Sequence, residues 1–180
     1  LSRMNRRRLD ADALRDTILA VAGTLNLKMG GVGVIPPLTS EEILAARMPH
    51  LWPENPDPAE HTRRSIYLQV KRSLALPMLQ IFDAPDTATS CARREVSTVA
   101  PQALALMNSP FATQQAKAFA SRIRDEAGDD PRQSVETGWH LALGRSPTDK
   151  ERQMALDYLE RNSLPQFCLL LFNMSEFVYV

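Results

Sequence analysis

The prolines in the second half of this chain stand where helices begin, and that placement limits its fold more than any other feature. A proline has no N–H to give to a helix ladder and a fixed φ, so it suits the first helical position and breaks a helix elsewhere. Pro101 precedes Ala103, Leu104 and Met107, and Pro110 follows Asn108 and Ser109, either of which can cap a helix running to about Ala127. Asp130-Pro131 opens a run through Val135, Trp139 and Leu143, and Pro165 opens another through Phe167, Leu170 and Leu171. Between them, Gly128-Asp129-Asp130 makes a turn, Gly144 suits a C′ position, and Thr148 with Glu151 makes a capping box. Short connections make neighbouring helices pack antiparallel. The predicted fold class is mainly α: an irregular helical bundle with long Pro-rich loops and little or no β.

The first half is more broken. Leu14, Ile18, Val21 and Leu25 recur at helical spacing, which predicts a helix over Leu9–Leu25 with Asp10 as its cap and Leu9 as a staple. Three glycines and two prolines make Met29–Leu38 a loop, and Ser40 offers a cap for a short helix to Met48. Pro49–Pro58 breaks any regular element, and Pro77 starts a short helix through Phe82. Residues Ile66, Leu68 and Val70 alternate like a strand, but Ile66, Val70 and Leu74 share a helix face; with few β-rich runs to pair with, helix is favoured. The expected core is Leu14, Ile18, Leu104, Phe111, Phe119, Trp139, Leu143, Leu159, Phe167 and Leu171.

Lysine plus arginine equals aspartate plus glutamate at 21 each, so nothing supports a large electrostatic footprint for nucleic acid or an anionic membrane. The Arg6-Arg7-Arg8 run is followed by Asp10, Asp12 and Asp16 and is expected on a solvated face. No apolar run reaches the roughly 18 residues of a membrane span. Cys91 and Cys168 lack a CxxC partner, which argues against a local cysteine zinc site; two buried free thiols are expected, with a bridge reasonable in an oxidising compartment. No CxxCH occurs, so no covalent haem and no other cofactor is expected in this segment. No metal site is expected either, because Asp83 and Asp86 lack the spacing of a Ca²⁺ loop.

Chemistry is most concentrated between Arg63 and Asn108. Asp83 and Asp86 lie near Arg93 and Arg94, and Gln102 and Asn108 follow; carboxylates and guanidiniums this close in sequence can form bidentate pairs. These six are the candidate ligand-binding residues. Either the arginines satisfy the aspartates and pin a long loop, or they line a cleft that receives an anion beside a working carboxylate. The first reading is favoured.

Several strings together resemble a known family. They include Arg63-Arg64-Ser65-Ile66-Tyr67, Phe82-Asp83-Ala84-Pro85-Asp86, Cys91-Ala92-Arg93-Arg94, Pro101-Gln102-Ala103-Leu104, Asn108-Ser109-Pro110-Phe111 and Leu141-Ala142-Leu143-Gly144-Arg145-Ser146-Pro147-Thr148. In this order they resemble the C-terminal domain of unknown function (the DUF 1553, or PSD-one, family) of planctomycete secreted proteins, found after planctomycete-type cytochrome c and DUF 1549 domains. The resemblance implies export to the periplasm or cell surface, other domains of the same parent chain as partners, and a link to polysaccharide. It brings no catalytic residues.

The expected organisation is one helical domain over 1–180, a C-terminal piece of a larger protein, with N-terminal helices and a Pro-rich loop (1–60), a polar motif region (61–110) and a helical bundle (111–180). The expected function is that of a non-catalytic or accessory module. The rival is a hydrolase-like site, with Asp83 or Asp86 and Arg93 in a cleft that missing N-terminal sequence completes.

Overall fold

A computed structural model describes residues 6–40, 43, 54–70, 76–85, 90–94 and 96–179. The expected helix from Ser40 to Met48 and the candidate Asp86 lie largely or wholly outside these residues. Among them the fold is mainly α: α1 (Ala11–Ala22), α2 (Pro77–Ile81), α3 (Ala100–Asn108), α4 (Pro110–Ala127), α5 (Pro131–Leu143), α6 (Asp149–Leu159), α7 (Leu164–Asn173) and α8 (Ser175–Val178). Among the described residues, two 3-10 turns, Pro58–Thr62 and Ser65–Tyr67, precede α2, and β structure is limited to isolated bridges.

Proline and its capping partner work as the sequence predicts. Ser109 accepts a hydrogen bond from the Ala112 N–H at the start of α4, and Asp130 accepts from the Arg132 N–H at the start of α5. Thr148 and Glu151 close a reciprocal capping box on α6. At the α5–α6 turn, Gly144 takes the left-handed conformation (φ 69°) that glycine adopts without steric cost. Arg145 leaves this turn to bind both oxygens of Glu151 and both of Glu176, which ties the turn to α8.

Helix α4 is the centre of the bundle and packs against α1, α3, α5 and α7. Its buried face alternates Ala112, Ala116 and Ala120 with Phe119 and Ile123; the alanines let neighbours approach and the large residues fill the space between. Phe119 stacks on Phe172 of α7 at 5.7 Å, and Trp139 of α5 meets Phe167 at 5.8 Å. A Cβ on Gly138 would sit 3.0 Å from the Phe167 ring and 3.3 Å from Ile123 and Leu171, so α5 packs against both helices only through a glycine there.

Of the expected core, Leu14, Ile18, Phe119, Trp139, Phe167 and Leu171 are buried, and Phe111, Leu143 and Leu159 are partly buried against them. Leu104 is a correction: it is 55% exposed. The inward leucine of α3 is Leu106, two positions further on and so turned about 200° around the helix. Helix α1 ends at Ala22 rather than Leu25, because Gly23 turns left-handed and Arg122 of α4 donates to the Ala20 and Val21 carbonyls. The helix favoured over residues 65–72 is, in its described part, one 3-10 turn, after which Leu68 bridges to Val34; this buries Ser65 and Leu68 and leaves Ile66 exposed.

Candidate functional site

The polar residues between Arg63 and Asn108 do not converge. Of the described candidates, Asp83 and Gln102 sit in a closed knot, Asn108 lines an open groove about α2, α3 and the start of α4, and Arg93 and Arg94 belong to neither.

Asp83 caps the end of α2. Its own N–H goes back to the Gln80 carbonyl and the Ala84 N–H to the Leu79 carbonyl, which puts Asp83 in the left-handed region (φ 59°). Aspartate is among the few non-glycine residues that visit this region readily. Its carboxylate accepts from the Ser97 N–H at 2.8 Å, from the Ser97 hydroxyl at 2.8–2.9 Å, and from Arg8 Nη2 at 2.8 Å. Gln102, buried on α3, donates to the Ile81 carbonyl at 3.0 Å and to Ser97 Oγ at 3.1 Å, closing the knot from beneath. Burial opposes ionisation of Asp83, but the two Ser97 bonds and then Arg8 outweigh it and hold the carboxyl below its usual range.

The arginine in this knot is not one the sequence singles out. Arg8 belongs to a run expected on a solvated face, yet it is 3% exposed. An antiparallel bridge to Tyr179 and the Leu9 N–H to Val178 carbonyl bond fix its backbone against the end of the chain. From there its side chain reaches over the Phe82 ring to the Phe82 carbonyl and Asp83. Arg94 instead pairs with Asp10 at 3.3 Å and Asp12 at 3.1 Å, at the start of α1. Arg93 is exposed, and its carbonyl accepts from the Cys91 thiol at 3.2 Å. Neither arginine satisfies Asp83, which corrects the expected pairing: Arg94 is held by the aspartates at the start of α1 rather than at the α2 cap. Cys91 is likewise exposed rather than buried, while burial pushes the Cys168 thiol up to about 12.

The groove encloses about 750 Å³. Six prolines, Pro36, Pro37, Pro58, Pro77, Pro101 and Pro110, line it, and their fixed φ makes rigid walls. Helix α3 adds Leu104 and Asn108, one turn apart, and α4 adds Phe111, Gln114 and Gln115, which share one face. Asn108 is therefore on the groove while Gln102 is in the knot.

Arg15 of α1 also lines the groove and is 5% exposed. It donates to the Arg63 carbonyl at 2.9 Å, to Ser65 Oγ at 3.2 Å and to the His61 carbonyl at 2.8 Å, and lies 5.7 Å from the Phe111 ring centre. Burial pulls its guanidinium down to about 10, against the opposing pull of Asp16 and Asp12, so it remains cationic at neutral pH. Sequence reasoning missed Arg15, though a charge at the centre of the Ala11–Leu14–Ile18–Ala22 stripe was the signal that marked it.

Among the described residues, no three or more His, Cys, Asp or Glu side chains gather as metal ligands. No described helix is long and apolar enough to cross a membrane.

No curated protein and no solved structure matches the chain. Residues 1–159, ending with the last residue of α6, match the family described as PSD1, protein of unknown function (DUF1553). Spanning most of the sequence and agreeing with the ordered motifs from Arg63 to Thr148, that match identifies the chain as a member of the PSD1 (DUF1553) family.

Proposed function

We propose that this domain is a non-catalytic, accessory module of an exported multidomain protein, held against other domains of its parent chain and engaging surface polysaccharide. One observation carries the reading: Asp83, the described aspartate of the candidate set, is engaged by the Ser97 N–H and hydroxyl and by Arg8. A catalytic acid or base needs an oxygen within reach of substrate. In support of an anionic glycan, Arg6, Arg7 and Arg93 are exposed, and Arg7 and Arg94 both face Asp10, which brings these two guanidiniums together at the start of α1.

The test uses wild-type chain and Asp83→Asn with uronic-acid and sulfated polysaccharides, followed by gel retardation and by release of reducing ends. The reading predicts retardation of both proteins, no release of ends, and a lower melting temperature for Asp83→Asn. Glycan cleavage by wild type that is lost in a folded Asp83→Asn would establish the hydrolase reading instead.

A further inference from the structure

We infer that the proline-walled groove is a binding site for a small amphipathic carboxylate, an apolar body carrying one anionic head. The volume of about 750 Å³ lies in the range of small-molecule sites. Leu104, Phe111, Met78 and the prolines offer the apolar body a matching surface. Rigid proline walls reduce the ordering cost of binding.

Charge commits the head group. The ionisable residues among the described lining are Arg15 and His61, and no carboxylate is part of that lining. The nearest acid, Asp16, is turned away to the Ser65 N–H and hydroxyl at 2.7 Å, leaving its oxygen 3.7 Å from Arg15. Arg15 spends three hydrogen bonds on its own fold out of five N–H donors. Gln115, 3% exposed, accepts from Thr24 through Oε1 at 2.6 Å, and its Nε2 has no partner among the described residues. Arg15 Nε and Gln115 Nε2 carry no hydrogen bond and are not among the enclosed orphan atoms of the described residues, and both residues line the groove. A buried cation and a buried amide donor, both on an apolar cleft, match a carboxylate with an apolar tail.

The experiment titrates octanoate, 1-octanol and acetate into the chain, with binding followed by heteronuclear NMR. Octanoate is expected to saturate, with shifts at Phe111 and Gln115. Octanol should bind at least about tenfold more weakly, and acetate should not saturate. Arg15 supports the fold, so the decisive variant is Leu104→Glu, at an exposed position on the groove. It should melt like wild type and bind octanoate about tenfold or more weakly, because it sets a like charge beside the apolar tail. Octanol binding as tightly as octanoate, no saturable octanoate binding to wild type, or unchanged binding by Leu104→Glu would each overturn the site.

Discussion

The knot at Asp83 and the groove at Arg15 both bury an arginine, but they spend it differently. Arg8 is used up on the Phe82 carbonyl and Asp83, and its remaining Nε and Nη1 are enclosed without partners. Arg15 fixes a loop with three bonds, and it lines the groove with its Nε unbonded. A closed site of the first kind responds to mutation through stability, an open one through binding. The comparison teaches that polar density in the sequence marks where the chain must be tied down, whereas a charge set inside an apolar stripe marks where it can receive something.

The largest effect lies outside both regions and sets the scale. Phe119→Ala empties the centre of α4 against Phe172 and should lower stability by about 3–5 kcal/mol in denaturant unfolding. A loss below about 1 kcal/mol would place Phe119 outside the core on which both regions rest.

Asp83→Ala should follow at about 3 kcal/mol, because it leaves the Arg8 charge buried without its counter-ion and keeps an alanine at positive φ. Asp83→Gly relieves the backbone cost but not the lost ion pair and should recover only a small part of that loss. Full recovery by glycine would mean that backbone strain, not the ion pair, explains the knot.

Acid separates tied carboxylates from the groove. Asp83 and Glu151 both titrate below their unfolded values in the native state, Glu151 at about 2 through Arg145 and Thr148. A depressed carboxylate contributes stability that is fully present above its unfolded pKa and is lost as pH falls through the folded one. Melting temperature should therefore hold down to about pH 5 and fall steadily between about pH 4.5 and 2. Glu151→Gln should make that fall shallower; an identical slope in wild type and variant would remove Glu151 from the account.

The smallest effect is expected at the groove. Leu104→Ser, at an exposed position, should change stability by no more than about 0.5 kcal/mol. A larger loss would mean that Leu104 is packed and the groove is closed.

The bundle was legible because its signals are local. Ser109-Pro110, Asp130-Pro131 and Thr148…Glu151 each fix a helix start within four residues, and the helices fall where they point. Asp83 and Gln102 were marked by the polar density around them, but their partner Arg8 was not. Arg8 is 75 residues from Asp83 and is delivered by a bridge to Tyr179 at the far end of the chain. Leu104 was misassigned for a related reason: α3 carries Leu104 and Leu106 with Ala105 between, and only the position of the neighbouring helices decides which leucine faces in. The groove was invisible as a whole, since its prolines come from loops and helix starts spread between Pro36 and Pro110.

The central claim, that Asp83 belongs to a structural knot with Arg8, is tested most directly by a double-mutant cycle read in denaturant unfolding. Arg8→Met, Asp83→Asn and the pair should show a coupling of about 1 kcal/mol or more, while the same cycle between Arg94→Ala and Asp83→Asn should close to within about 0.5 kcal/mol. Coupling of Asp83 to Arg94, with Arg8 and Asp83 additive, would contradict the account and restore the pairing that the sequence alone suggests.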